Sequence, residues 1–376
     1  MRPSIVRLLS LALLLGPTAA VAEPTNLQLQ WVGTFQSADD DHSADEYSST
    51  ADLFLDADMG PGRWHVWVEA ATTPQDAGVS TFYPSANEDV GTALGKDGGG
   101  RVQISTLRYA LPLSDSTTLH TGLLDPTNFI DASGSFTSDL NDEGIANNET
   151  SQFLAGPFVN NPTIDFPDYT LGVAIDDYAK ERAIGGQLMI ASSNGLADNP
   201  QASYGQLFNV DEHDKGVFAA GEAYLHQGAT LFARLGGWTN SREHRAADGT
   251  HLGHNYGAYA VVDGRSTEGN GVNLRFGWAN PDVSDTRTFA SIAGRLQAGP
   301  AVLGAALGHS QASARTRQPT PDGLQAEVYS RFTIGDVFHI SPDIQYLAHL
   351  AADTQPLADD HVMVYGVRLN LTLPPS

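Results

Sequence analysis

The sequence predicts an all-β fold, namely a transmembrane antiparallel β-barrel of about sixteen strands. Apolar residues recur at every second position through most of the chain, which is the period of a strand with one apolar face. The connections between these segments alternate between long and short. There is no convincing amphipathic helix, and after the N-terminal segment there is no run of about eighteen apolar residues, so a membrane would have to be crossed by strands.

About sixteen segments follow this period, each with roughly the length that a tilted strand needs to span a bilayer. The last is the clearest, because Tyr365, Val367 and Leu369 alternate with Gly366, Arg368 and Asn370. No charge falls on its apolar side, where Lys or Arg would cost roughly 2–4 kcal/mol at the bilayer midplane. The predicted spans are 25–36, 49–58, 62–72, 101–112, 117–124, 169–177, 183–193, 216–226, 228–238, 254–263, 271–280, 287–298, 300–309, 323–334, 336–347 and 361–373.

The connections separate into two classes. Long loops are predicted at 37–48, 73–100, 125–168, 194–215 and 239–253, and between them lie short turns such as 59–61 and 299–300 that contain Gly or Pro. Short turns on one rim and long loops on the other are typical of outer-membrane barrels, whose short turns face the periplasm. The alternative of a soluble secreted β-sandwich gives no reason for this sorting.

The first residues predict export. Arg2 and Arg7 precede an apolar run, and Ala20-Val21-Ala22 is a small-residue cleavage site, so residues 1–22 are interpreted as a signal peptide cleaved near Ala22. Residues 23–376 are then predicted to form a single barrel domain.

Composition restricts the function classes. The chain of 376 residues has a formal net charge of −24 and no cysteine, so we expect no disulfides and no nucleic-acid partner. No HExxH, GxSxG or Walker-type motif is present, and His251 and His254 lack a convincing metal-site context. We therefore expect no enzymatic activity, no cofactor and no metal.

Residues 125–168 form the longest insert between strands, and their aromatic residues and prolines indicate an ordered loop. Such a loop would leave apolar surface in water unless it folded back into the barrel mouth. We expect it to constrict the pore, with Phe129, Phe153, Phe158 and Phe166 as anchors against the wall. The residues expected to face the pore are Asp125, Asn128, Asp131, Asn160, Asn161 and Asp165.

The runs GLLDPTNFID (122–131), ETSQFL (149–154) and PFVNNPTIDFPDYTLGVAI (157–175) resemble the OprB-like carbohydrate-selective porins of Gram-negative outer membranes. ISPDIQYL (340–347) and VYGVRLNLTL (364–373) resemble the closing pattern of that family. The resemblance implies an outer-membrane location, a pore-constricting loop, passive diffusion of sugars and a homotrimer. The chain departs from the family in its last strand. It ends in LNLTL followed by Pro374-Pro375-Ser376, whereas the closing strand of the family resembles LNLTF.

Charged residues also fall on the inward side of the predicted strands. Both signs would face one lumen, where they would select solutes by charge or pair with each other across the wall. These candidate pore-lining residues are Glu69, Arg108, Glu222, Arg234, Arg275, Glu327, Arg331, Asp343 and Arg368.

The predicted function is passive, carbohydrate-selective diffusion of small polar solutes through the outer membrane, whose lipids would surround the barrel. Two alternatives remain open: an outer-membrane β-barrel hydrolase, and a general porin that prefers cations because its loops are strongly acidic.

Overall fold

The computed structural model describes residues 23–132, 144–179, 182–197, 199, 202–208, 216–227, 230–245, 250–313, 322–349 and 361–373. The signal peptide predicted at residues 1–22 and the C-terminal Pro374-Pro375-Ser376 lie outside the described residues. The strands are β1 (Glu23–Ala38), β2 (Glu46–Met59), β3 (Gly62–Ala71), β4 (Val102–Pro112), β5 (Thr117–Leu124), β6 (Thr170–Asp177), β7 (Ile184–Ser192), β8 (Val217–Gln227), β9 (Leu231–Arg245), β10 (His251–Arg265), β11 (Gly271–Ala279), β12 (Thr286–Ala298), β13 (Ala301–Ala312), β14 (Gly323–Ile334), β15 (Phe338–Ala348) and β16 (His361–Leu373).

The sheet closes on itself. Each strand pairs antiparallel with its sequence neighbours, and β1 pairs with β16 in a register that runs from Leu29 opposite Leu373 to Ala38 opposite Val364. A closed sheet leaves no unpaired edge, which is the condition for strands to cross hydrocarbon. The prediction of an antiparallel barrel of about sixteen strands is confirmed, and the soluble β-sandwich alternative is wrong.

The two faces of the wall follow the predicted alternation. In β16, Tyr365 and Val367 are exposed on the outside, whereas Arg368 and Asn370 are buried on the inside. Large apolar side chains are exposed all around the barrel, including Leu188, Leu235, Phe276, Leu307 and Val328. The outer surface is therefore suited to lipid and the inner surface is polar.

The helices are short. Within the described residues, the α-helices α1 (Val79–Phe82) and α2 (Gly156–Val159) are single turns, and 3₁₀ turns occur at Pro84–Ala86, Pro126–Asn128 and Tyr204–Phe208. Among the described residues, no helix has the length and apolar character needed to span a bilayer.

The strand boundaries differ from the prediction mainly in β9 and β10. They extend to Arg245 and back to His251, across most of the stretch expected to be the long loop 239–253. Residues such as Ser241, Arg242 and Glu243 lack the apolar alternation that marks the rest of the strand. The hydrophobic period therefore ends before the backbone pairing does.

Candidate functional site

The described parts of the loop between β5 and β6, residues 125–132 and 144–169, lie inside the barrel and are called the long loop below. The Glu327 carboxylate on β14 accepts hydrogen bonds from the backbone N–H groups of Leu154 at 2.8 Å and Ala155 at 2.9 Å. Arg368 on β16 donates to the carbonyl of Gln152 at 2.7 Å and to that of Glu149. Charged wall residues thus pair with loop backbone groups that would otherwise be buried without partners.

Arg275 on β11 makes several contacts to the long loop. Its Nε lies 3.0 Å from the Asp131 carboxylate, and its terminal nitrogens donate to the carbonyls of Phe158 at 3.0 Å and Ala146 at 2.9 Å. Both the guanidinium and the carboxylate side chain are at most 2 % exposed. The pair therefore fixes two distant parts of the loop to one point on the wall.

A second buried pair lies on β8 and β9. Arg234 contacts Glu222 at 2.7 Å, and Glu222 also accepts hydrogen bonds from Tyr259 at 2.7 Å and Gln187 at 2.9 Å. Gln187 also donates to the carbonyl of Phe129 in the long loop. This network holds the beginning of the loop against the wall.

Apolar packing adds to these polar contacts. Phe129, Phe153 and Phe158 are at most 5 % exposed, and Phe166 packs against the cluster that contains Phe129. The ring centroids of Phe153 and Tyr329 on β14 lie 5.1 Å apart. These four residues lie where the sequence placed wall anchors.

Gly277 on β11 provides the room for this packing. A Cβ atom at Gly277 would lie 2.1 Å from Thr163 Oγ1 and 2.4 Å from Asn161 Oδ1. Any larger residue would therefore force the buried side chains of Thr163 and Asn161 to move, because real Cβ contacts are not this short.

A second segment, residues 72–101, also folds inward and is called the second loop. Glu46 on β2 accepts hydrogen bonds from the backbone and hydroxyl of Ser80 at 2.7 and 2.8 Å. Gln36 and Gln345 both donate to the carbonyl of Ala86, at 3.0 and 2.8 Å. The sequence predicted only one inward loop, because this second one is rich in Gly and polar residues.

The two loops and the wall of β1 to β4 enclose a cavity of about 450 Å³. Among the described residues that line it, the basic side chains are Arg108 and His65. The nine acidic side chains that line it are Asp52, Asp56, Glu69, Glu88, Asp89, Asp125, Asp131, Glu149 and Asp168. The cavity is therefore strongly acidic.

Aromatic rings form part of the same wall. Phe54 and Trp67 are stacked with centroids 5.6 Å apart, and Tyr169 approaches Trp67 edge-on at 5.5 Å. Trp67 donates its indole N–H to Asp52 at 2.7 Å. These residues are not among the predicted site residues, although Asp52, Phe54 and Asp56 occupy the inward positions of a predicted strand.

The predicted wall residues fall into two groups. Glu69 and Arg108 line the cavity. The others are not among its lining residues, because the long loop and the residues beside it occupy the space in front of them; these are Glu222, Arg234, Arg275, Glu327, Arg331, Asp343 and Arg368. The expectation that all nine face an open lumen therefore differs from the structure.

The predicted loop residues also divide. Asp125, Asn128, Phe129, Asp131 and Asn160 line the cavity. Asn161 is instead buried at 1 % exposure and caps the turn at Thr163. Asp165 pairs with Arg242 at 3.3 Å and His244 at 2.7 Å on the extended part of β9. Part of the expected loop, residues 133–143, lies outside the described residues.

Burial changes the protonation of the loop carboxyls. Burial raises the pKa of Glu149 to about 7, and the nearby charges of Glu88 and Asp125 add to this shift. Burial also raises the pKa of Asp131 to about 6, although Arg275 opposes the shift. The negative charge of the cavity therefore depends on pH near neutrality. Within the described residues, no group of three or more Asp, Glu, His or Cys side chains is arranged to hold a metal ion.

Solved structures with the same architecture are known. OprB of Pseudomonas putida has 10% sequence identity, covers 94% of this chain and 94% of its own, and superposes with a TM-score of 0.67. The trimer form of OmpT, an outer membrane protein of Vibrio cholerae, has 12% identity, coverage of 92% and 98%, and a TM-score of 0.54. A mutant of the Rh. blastica porin has 9% identity, coverage of 92% and 99%, and a TM-score of 0.53.

No protein-family model matches the chain, and no curated protein sequence matches it. At these low identities the structural likeness shows the fold alone. The chain has an OprB-like fold, that of a sixteen-stranded outer-membrane porin barrel.

Proposed function

We propose that the protein is an outer-membrane porin, through which small polar solutes diffuse passively. The observation that carries this proposal is a closed barrel with an apolar exterior and a polar interior, in which two inward loops leave a cavity of about 450 Å³. A cavity of this size and polarity suits a small hydrophilic solute. The outer membrane is the corresponding location, with lipid around the exposed apolar belt.

Carbohydrates are the solute class that we propose first. The stacked pair of Phe54 and Trp67 presents aromatic surface beside the carboxylates of Asp52 and Glu69. An aromatic face packs against a sugar ring, while carboxylate and amide groups bind its hydroxyls. The structural likeness to OprB of P. putida supports the same assignment.

A general cation preference is the second candidate. It is favoured by the excess of acidic over basic side chains around the cavity, because a field of one sign enriches counter-ions in a narrow space. In a cation-preferring porin of this kind, neutral sugars would pass without binding.

We infer that two histidine–aspartate pairs of the described chain do not belong to a hydrolase triad. His120 and His244 each pair with an aspartate at 2.6 and 2.7 Å, as in catalytic triads. However, the second ring nitrogen of His120 is buried without a partner, and that of His244 faces the carbonyl of Gly253. Neither imidazole is therefore placed to activate a serine hydroxyl.

Planar-bilayer recording of the purified, folded protein tests the proposal. We expect stable channels whose ion current is reduced by some mono- or oligosaccharides. Current without any block by saccharides would leave only the general porin. Absence of channels, together with hydrolysis of lipid or ester substrates, would favour the hydrolase. We also propose a homotrimer, as in the trimer form of OmpT, and expect its mass in detergent to be three times that of the protomer.

A further inference from the structure

The acidic cavity has a feature that a neutral solute does not explain. Asp52 accepts a hydrogen bond from Trp67, and Glu69 accepts from Ser105 at 2.6 Å and from Gln103 at 3.3 Å. Thr50 donates to both carboxylate oxygens of Asp89, at 3.1 and 3.0 Å. These donors are neutral, whereas Glu222 pairs with Arg234 and Asp131 pairs with Arg275. Buried carboxylates with neutral partners favour a cationic ligand.

The form of the cation follows from the spacing of the acids. Within the described residues, no three of them are close enough to ligate one metal ion. The aromatic wall lies among them instead, because Trp67 contacts Asp52, Phe54 and Tyr169. An ammonium group over a Trp face, with carboxylates around it, is a standard arrangement for binding an organic amine.

A second, independent observation lies on β4 beside these acids. Arg108 and Thr106 are 4 % and 8 % exposed and line the cavity, yet the Nε of Arg108 and the Oγ1 of Thr106 are buried without hydrogen-bond partners. The Arg108 guanidinium lies 5.4 Å from the centroid of the Phe129 ring. Buried donors without partners carry a free-energy penalty that a ligand with oxygen acceptors would remove.

We propose that this cavity binds amine-bearing polar solutes, whose ammonium group lies between Trp67 and the acids and whose oxygen groups accept hydrogen bonds from Arg108 and Thr106. Amino sugars are the class that joins these two chemistries on one ring. This inference rests on the proposed channel function and narrows its substrate class.

Current block by matched sugars in planar bilayers tests the inference. Glucosamine and N-acetylglucosamine share a ring, but only glucosamine carries an ammonium group at about pH 7. We expect glucosamine to block half of the wild-type current at a concentration about tenfold lower than N-acetylglucosamine requires, because its ammonium group would gain a desolvated cation–π contact. Equal block by the two sugars would overturn the inference and leave the channel proposal intact. Absence of channels would count against the channel itself.

Variants localise the effect. Asp52→Asn and Trp67→Leu should each lower the preference for glucosamine, whereas Trp67→Phe, which keeps an aromatic face, should retain most of it. Glu268→Gln removes one carboxylate from the exposed turn between β10 and β11, which is not among the residues that line the cavity, and should leave the preference unchanged. If Asp52→Asn, Trp67→Leu and Glu268→Gln all retain the wild-type preference, the ammonium site is elsewhere and the proposal fails.

Discussion

Two regions of the barrel wall use the same inward positions in opposite ways. On β8 to β16, charged side chains such as Arg275, Glu327 and Arg368 are covered by the long loop and hold its backbone. On β2 to β4, Asp52 and Glu69 face the cavity and are held by neutral donors. Position in a strand therefore decides that a side chain points inward, and the path of the loop decides whether it serves stability or solute selection.

The physical reason is that the long loop needs partners for its backbone. A loop inside a barrel buries N–H and C=O groups, and each needs a hydrogen bond. Charged wall residues provide strong ones, and the loop in turn neutralises or solvates their charges. We call the inward face of β8 to β16 the covered wall and that of β2 to β4 the open wall. The covered wall is expected to control stability, and the open wall to control solute selectivity.

Arg275→Met should have the largest effect, because it leaves the Asp131 carboxylate buried without its cation and removes donors from two loop carbonyls. We expect a loss of about 3–5 kcal/mol in the free energy of unfolding and a larger, noisier single-channel current. Urea unfolding in lipid, followed by tryptophan fluorescence, measures the first quantity.

The control is Arg63→Gln, which breaks an Arg–Asp pair at 2.6 Å whose side chains are 46% and 55% exposed. Exposed pairs contribute at most about 1 kcal/mol. If both variants lose the same small amount, the covered wall does not hold the loop.

Gly277→Ala should come second, because the new methyl group would overlap Thr163 and Asn161 in the long loop. These buried side chains must shift, at a cost of about 1–3 kcal/mol. Gly237→Ala on β9 is the matched control, since its Cβ would meet only a carbonyl at 3.5 Å. Thermal unfolding of the two variants distinguishes them, and equal midpoints would contradict close packing at Gly277.

The wall could be predicted from the sequence much better than the site. The segments 117–124, 323–334 and 361–373 match β5, β14 and β16 in full, because an apolar outer face and a polar inner face impose a period of two. The ends of β9 and β10 were missed where side chains are polar on both faces, so that only backbone pairing defines the strand.

The division between covered and open wall could not be predicted, because it depends on contacts between residues far apart in sequence. One example is the close approach of Thr163 to Gly277, which has no side chain. Another is the hydrogen bond that the Gln345 side chain donates to the carbonyl of Ala86. Asp52 and Phe54 could have been predicted as lumen residues, because they alternate with the apolar outward positions of the strand predicted at 49–58. Nothing local in the sequence distinguishes Glu69, which lines the cavity, from Glu327, which binds the loop.

At about pH 9, Asp52→Asn combined with Glu69→Gln should lower the ratio of potassium to chloride permeability several-fold, because two uncompensated charges leave the cavity wall. Stability should change little, since the neutral donors to both groups still find acceptors. Asp343→Asn is the control, because this inward carboxylate is not among the residues that line the cavity. Reversal potentials in a salt gradient measure the ratio. An equal decrease in the control would mean that selectivity reflects total lumen charge.

Acidification should give the smallest effect. Because burial raises the pKa of Glu149 to about 7 from an ordinary value of 4.5, its carboxyl gains a proton when the pH falls from about 8 to about 6. The cavity then loses part of its negative charge, and cation preference should decrease, by less than in the double variant.

The same shift in pKa makes the free energy of unfolding depend on pH. The folded state binds this proton more tightly than the unfolded chain, so the contribution of Glu149 to stability falls as the pH rises from about 4.5 to about 7. Glu149→Gln should remove this part of both pH dependences, and a reversal-potential titration that is unchanged in Glu149→Gln would assign the titration to another carboxyl of the open wall.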